Sequence, residues 1–168
     1  MYTLERAKLE ECAQCVEIIR DGRAFQQEQG FEQWTQEYPS VSLIEQDLRE
    51  GGGYLFKIDG QSAGYMYLSF DGDSSYADID GAWRSDEPYA VVHRIALRRQ
   101  MAGRGLSSAI FAAIESLCRA RGVFCIRIDT DKKNARMQHV LEKNGFVRCG
   151  YVLFEGDRKM AYDKLIRT

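Results

Sequence analysis

The stretch from Ala90 to Leu117, AVVHRIALRRQMAGRGLSSAIFAAIESL, constrains the fold more than any other part of the chain. Its first residues, Ala90 to Leu97, form a mostly apolar run of strand length. Such a run suits an interior strand covered on both faces. From Leu106 the residues Leu106, Ala109, Ile110, Ala113, Ile114 and Leu117 recur at helical spacing. Arg119 and Arg121 then fall where a helix end favours cations, and Gly122 ends the helix. Between strand and helix lie Gly103 and Gly105, flanking Arg104. The first backbone N–H groups of a helix have no internal partner, and the helix dipole adds positive potential there. Glycine lets an anion approach the chain without meeting a Cβ. The turn from Met101 to Ser108 therefore reads as a seat for a pyrophosphate, though turn glycines alone would account for the same two letters.

Three kinds of phosphate-bearing cofactor use such a seat. A P-loop ends in GK[ST], but Gly105 is followed by Leu106 and Ser107. A dinucleotide fingerprint needs a third glycine where Ser108 stands, and it opens on the first strand of a sheet. Here a helix and a hairpin come first. The diphosphate of coenzyme A is the third option.

The elements around this unit alternate. Thr3 to Ala7 reads as a first strand, and Glu10 to Gln29 as a helix with Cys12, Val16 and Ile19 on one face. Ser42 and Glu45 fit a capping box, opening a short helix that stops at Gly51 to Gly53. Tyr54 to Phe70 reads as a hairpin turning at Asp59-Gly60. Asp71 to Tyr89 is a polar insertion of loops around a short extended piece. After the central unit come the strand VFCIRID, the helix NARMQHVLEKN with Met137, Val140 and Leu141 inward, and two closing strands around Gly156-Asp157. That order specifies an α/β domain with a mixed sheet.

Length and composition narrow the function. A chain of 168 residues suits one domain, residues 1–168. A net charge of −2 gives neither the basic excess nor the basic stripe of a nucleic-acid binder. No apolar run approaches the ~18 residues that span a bilayer, and the N-terminal residues lack a secretory apolar segment. The expectation is a cytoplasmic protein with reduced thiols and no membrane partner. Cys12 and Cys15 form a CxxC, but the other cysteines and the two histidines are scattered, so no metal site is expected.

Over its whole length the chain resembles the GNAT superfamily of acetyl-CoA-dependent N-acetyltransferases. The family turn has the form R/Q-x-x-G-x-G/A. The letters QMAGRG, Gln100 to Gly105, match it literally, whereas the usual spacing from strand and helix places it on AGRGLS, Ala102 to Ser107. LEKNGF, Leu141 to Phe146, is similar to the family's frequent YEKLGF. Within the family the likeness is to bacterial members. The resemblance implies a mostly antiparallel mixed sheet of six to seven strands with about four helices. It implies acetyl-CoA as co-substrate and a primary amine of a small molecule or peptide as acceptor, attacked directly in a ternary complex. The cofactor would lie against Ile95, Ala96, Leu97, Ala102, Gly103, Arg104, Gly105, Leu106, Ser107, Ser108 and Asn134. A backbone N–H within Ile95 to Leu97 would hold the oxyanion, and homodimers are common in the family. Two departures stand out. Ala102 replaces the family's arginine or glutamine, and Leu141 replaces the tyrosine that usually protonates the thiolate. These departures leave open a non-catalytic acyl-CoA-binding sensor; a nucleotide-binding oxidoreductase is the other alternative.

An attacking amine must be neutral, so a base helps. The family's glutamate falls at Val91, and His93 could serve instead, sharing a face with Val91, Ile95 and Leu97 on a regular strand. It could equally be a hydrogen-bonded core histidine. Arg94, on the opposite face of an interior strand, needs a partner, for which Asp129 or Asp131 is at hand. His139 is expected at the surface. The insertion mixes Asp71, Asp73, Asp78, Asp80, Asp86 and Glu87 with Tyr76, Trp83 and Tyr89. Acid plus aromatic suits a cationic amine, and a solvated loop explains the same letters. Phe25, Phe31 and Trp34 read either as pocket wall or as core.

Overall fold

The computed structural model describes residues 1–31, 33–35, 37–154 and 156–167. They form eight strands, most of them paired antiparallel, and four α-helices. The strands exceed the expected six to seven because the insertion supplies a short one, β4 (Asp80–Gly81). The chain divides into two compact units, Met1–Leu68 with His93–Ala113, and Ser69–Val92 with Ile114–Thr168.

In the first unit β1 (Tyr2–Arg6), β2 (Gly53–Ile58) and β3 (Gln61–Ser69) run antiparallel in that order. Asp59 and Gly60 both have positive φ, as a tight hairpin turn requires. α1 (Cys12–Glu28) follows a short 3-10 turn at Leu9–Glu11, so the expected helix from Glu10 begins one tight turn late. α1 buries Cys15, Ile18 and Ile19, spaced three and four apart. α2 (Val41–Glu50) adds Ile44 and Leu48. These pack with Trp34, Leu55, Tyr65 and Ala96 as one core, each large side chain contributing about 1.5–3 kcal/mol by leaving water. Trp34 is therefore core. The cap of α2 is Ser40, whose Oγ accepts from the Leu43 N–H at 3.1 Å. Ser42, expected there, lies inside the helix; Ser40 has the extended backbone a cap residue needs.

In the second unit β6 (Cys125–Asp131) pairs antiparallel with β8 (Asp157–Leu165), β8 with β7 (Val147–Phe154), and β7 with β4. The first residues of β5 (Ala90–Leu97) join this ladder in parallel, Ala90 opposite Ile126 and Val91 opposite Arg127. Tyr76, Val91, Val152 and Ala161 form a core cluster. α3 (Ser107–Ala120) follows β5, and α4 (Ala135–Lys143) follows β6. Among the described residues no helix is long and apolar enough to cross a membrane.

Candidate active site

β5 begins as a buried strand, with Ala90, Val91 and Val92 at most 1% exposed. Its character changes at Arg94, which has φ +56 in the middle of the strand. A non-glycine residue there costs on the order of 1–3 kcal/mol unless its surroundings hold it. They do so through an ion pair. Arg94 Nη2 donates to Asp47 Oδ1 at 2.6 Å and Arg94 Nε to Asp47 Oδ2 at 3.1 Å, a bidentate pair. Tyr65 Oη donates to the same carboxylate at 2.7 Å. Burial alone would lower the pKa of Arg94, but the charge and hydrogen bonds of Asp47 outweigh it and raise it. Burial, with Asp47 adding to it, raises that of Tyr65. The partner of Arg94 is thus Asp47, and not Asp129 or Asp131: α2 carries the carboxylate to it, whereas Asp131 pairs with Lys159 at 2.9 Å.

The positive φ at Arg94 interrupts the regular strand backbone on which a face shared by His93, Ile95 and Leu97 is expected. His93 is half-buried. Its ring stacks on Tyr67, with centroids 6.2 Å apart and planes at 22°. The guanidinium carbon of Arg94 lies 4.5 Å from the centre of the same Tyr67 ring. Val91, expected at the position of the family's glutamate, is 1% exposed. Ile95 and Leu97 are half-buried and Ala96 is buried.

Beyond Leu97 a short 3-10 turn, Arg99–Met101, leads to Ala102, whose N–H donates to the Arg98 and Arg99 carbonyls. Gly103 and Gly105 have φ +78 and +70, and a Cβ built on either meets no atom within 4 Å. Neither glycine is needed for packing; both leave open space at the mouth of α3. Gly103, Arg104, Gly105 and Ser108 are exposed, while Leu106 and Ser107 are half-buried. The donor-rich start of a 14-residue helix behind a bare, open turn fits a diphosphate.

Asn134 belongs to the second unit. It caps α4, its Oδ1 accepting from the Met137 N–H at 3.0 Å. Leu141, expected at the position of the family's tyrosine, is fully buried in α4 and carries no phenol. His139 is exposed.

The aromatic residues of the insertion already face a cation of the chain itself. The guanidinium carbon of Arg127 lies 4.4 Å from the centre of the Trp83 ring and 3.9 Å from that of Tyr89, and Nη2 donates to the Ser85 carbonyl at 2.7 Å. Tyr76 is buried, and its carbonyl accepts from Trp83 Nε1 at 2.9 Å. The cation these aromatics suit is supplied by β6 itself.

The CxxC lies in the first turn of α1. All five cysteines are free, and burial pushes the Cys15 thiol up to about 12. Among the described residues no group of three or more His, Cys, Asp or Glu is placed to hold a metal.

Sequence reasoning missed Asp47, Tyr65 and Tyr67. The signal for Asp47 was present: it lies at the core-facing spacing Ile44, Asp47, Leu48, where an acid must find a buried partner. Nothing in the letters of the two tyrosines distinguishes them from ordinary strand residues.

The acetyltransferase (GNAT) family model matches residues 19–146. A GNAT-family acetyltransferase from Streptococcus agalactiae 2603 is 30% identical, with TM-score 0.89, over 99% of this chain and 96% of that one. One from Listeria monocytogenes 4b F2365 is 23% identical, with TM-score 0.77, over 98% and 95%. The aminoglycoside acetyltransferase AAC(6')-Ib, in complex with coenzyme A and kanamycin, is 19% identical, with TM-score 0.72, over 98% and 95%. The last two share the fold. No curated protein sequence matches the chain.

Proposed function

Because the chain belongs to the acetyltransferase (GNAT) family, we propose that it moves the acetyl group of acetyl-CoA to a primary amine of a small molecule or peptide, by direct attack in a ternary complex. The observation that carries this reading is the open turn at Gly103 and Gly105, behind β5 and at the start of α3. Amides of Gly103 to Ser108 would hold the diphosphate, with Arg104 beside them and Ala102 at the turn's entrance. Ile95, Ala96 and Leu97 would line the path of the pantetheine arm.

Acetyl-CoA supplies a thioester carbonyl open to attack. Around it the chain has three tasks. His93, directly or through water, takes the proton from the incoming ammonium so that a neutral amine attacks. A backbone N–H within Ile95 to Leu97 donates to the carbonyl oxygen as it gains charge. Leu141 offers no proton to the leaving thiolate, so another group of the chain or water supplies it. The kanamycin bound to AAC(6')-Ib is consistent with a small-molecule amine as the acceptor class. A homodimer in the cytoplasm belongs to the same proposal.

The test is an amine panel with acetyl-CoA, read by release of free thiol. Turnover on any member supports the reading. A second reading, an acyl-CoA sensor without chemistry, is favoured by Leu141 and Ala102; it predicts coenzyme binding with no thiol release on any amine.

A further inference from the structure

The pair of Arg94 with Asp47 reaches beyond the stability of the first unit. Asp47 is 3% exposed and Arg94 10% at the side chain, so both charges have left water and depend on each other. Three features tie this pair to one ring. Arg94 lies over the face of Tyr67 at 4.5 Å. Tyr67 stacks with His93. The backbone at Gly52 presses on Tyr67, since a Cβ there would come within 2.4 Å of Tyr67 Cε2. Gly52 N–H in turn donates to the Asp47 carbonyl at 2.9 Å. The end of α2 therefore meets the tyrosine twice, through the bare backbone at Gly52 and, by way of Asp47, through the Arg94 guanidinium. A strained φ persists where the surroundings over-determine it, and the strained residue here, Arg94, is next in sequence to His93.

We propose that Asp47 is a positioning residue for His93, acting through Arg94 and Tyr67. It touches no reacting atom. Its carboxylate holds the left-handed conformation of Arg94, which sets where β5 delivers the His93 ring, and the guanidinium steadies the tyrosine on which that ring rests. The consequence for turnover rests on the acetyltransferase reading; the geometric relationship does not.

The chain has two histidines, His93 and His139, so ring signals of histidine-labelled protein are assigned with one variant, His139→Gln. Asp47→Asn is expected to displace the His93 ring signals and leave those of His139 in place. Tyr67→Leu, which keeps the ion pair, is expected to do the same. Where Asp47→Asn fails to fold, Asp47→Glu, which retains the charge on a longer arm, gives the comparison. In the amine assay these variants should lose kcat by about 10–100-fold, with KM for acetyl-CoA unchanged. Unmoved His93 signals in folded Asp47 and Tyr67 variants would overturn the proposal, whatever the activity. Displaced signals in a protein that acetylates no amine would sustain the positioning role and defeat the acetyltransferase reading instead.

Discussion

Gly22, midway along α1, faces Ala96 of β5 so closely that a methyl group on it would lie 2.8 Å from the Ala96 Cβ and 2.8 Å from Trp34 Cζ3. Glycine inside a helix costs about 1 kcal/mol relative to alanine. The contact explains why the chain bears that cost: it lets α1 press against the end of the strand where the thioester is proposed to lie. Gly22→Ala sets the propensity gain against overpacking of about 1–3 kcal/mol. The contact is with a rigid ring and a backbone-anchored methyl, so overpacking wins. Chemical denaturation should show a net loss of up to about 2 kcal/mol, where propensity alone would give a gain.

Gly103→Ala and Gly105→Ala meet no neighbour, but both require an L-residue at positive φ, at about 1–2 kcal/mol each. The added methyl would also stand where a diphosphate must approach. Acetyl-CoA affinity, by calorimetry, should fall about tenfold or more in each variant. Gly103→Asn tolerates the backbone better and should melt closer to wild type while binding as weakly as Gly103→Ala. Wild-type affinity in all three would remove the diphosphate from this turn.

His93→Gln keeps a polar, half-buried side chain. Loss of a general base costs about 100–10,000-fold in rate. The expected result is a fall in kcat within that range, with the melting midpoint and the acetyl-CoA affinity close to wild type. A fall in stability with kcat retained would make His93 a packing residue.

Asp131 responds to pH. Burial alone would raise its pKa, but the hydrogen bond and charge of Lys159 at 2.9 Å and the Lys133 N–H at 2.8 Å outweigh it, holding the value below 3.8. A depressed carboxylate stabilises the fold wherever it is ionised, so the contribution is complete at neutral pH and disappears as pH falls through the folded-state value. Asp131→Asn should cost about 2 kcal/mol at pH 7, a gap that closes on acidification below 3.8. A gap independent of pH would show that charge plays no part.

What the sequence made legible follows from periodicity. The limits of β5 were readable because an apolar run ends sharply against charge, and the hairpin at Asp59-Gly60 because only a few residues take that turn. The open glycine turn was readable for the same reason. The kink at Arg94 was not, because nothing local in HRI demands it; a carboxylate 47 residues earlier in the chain holds it. The aromatic insertion misled because acid and aromatic letters fit a ligand cation and an internal one alike, and only the pairing of strands shows Arg127 beneath them. Ser40 displaced Ser42 as the cap because capping depends on backbone geometry one turn ahead of the apolar pattern.

The most direct test of the central claim is thermal unfolding of the purified protein alone and with saturating acetyl-CoA, CoA or NADH. A ligand that binds only the native state at 100 times its Kd adds about 2.7 kcal/mol, which for a chain of this size raises the midpoint by about 5–10 °C. The account predicts that rise with both coenzyme A species and none with NADH. No rise with either coenzyme A species would contradict the diphosphate seat at Gly103 and Gly105, and with it the function proposed for this chain.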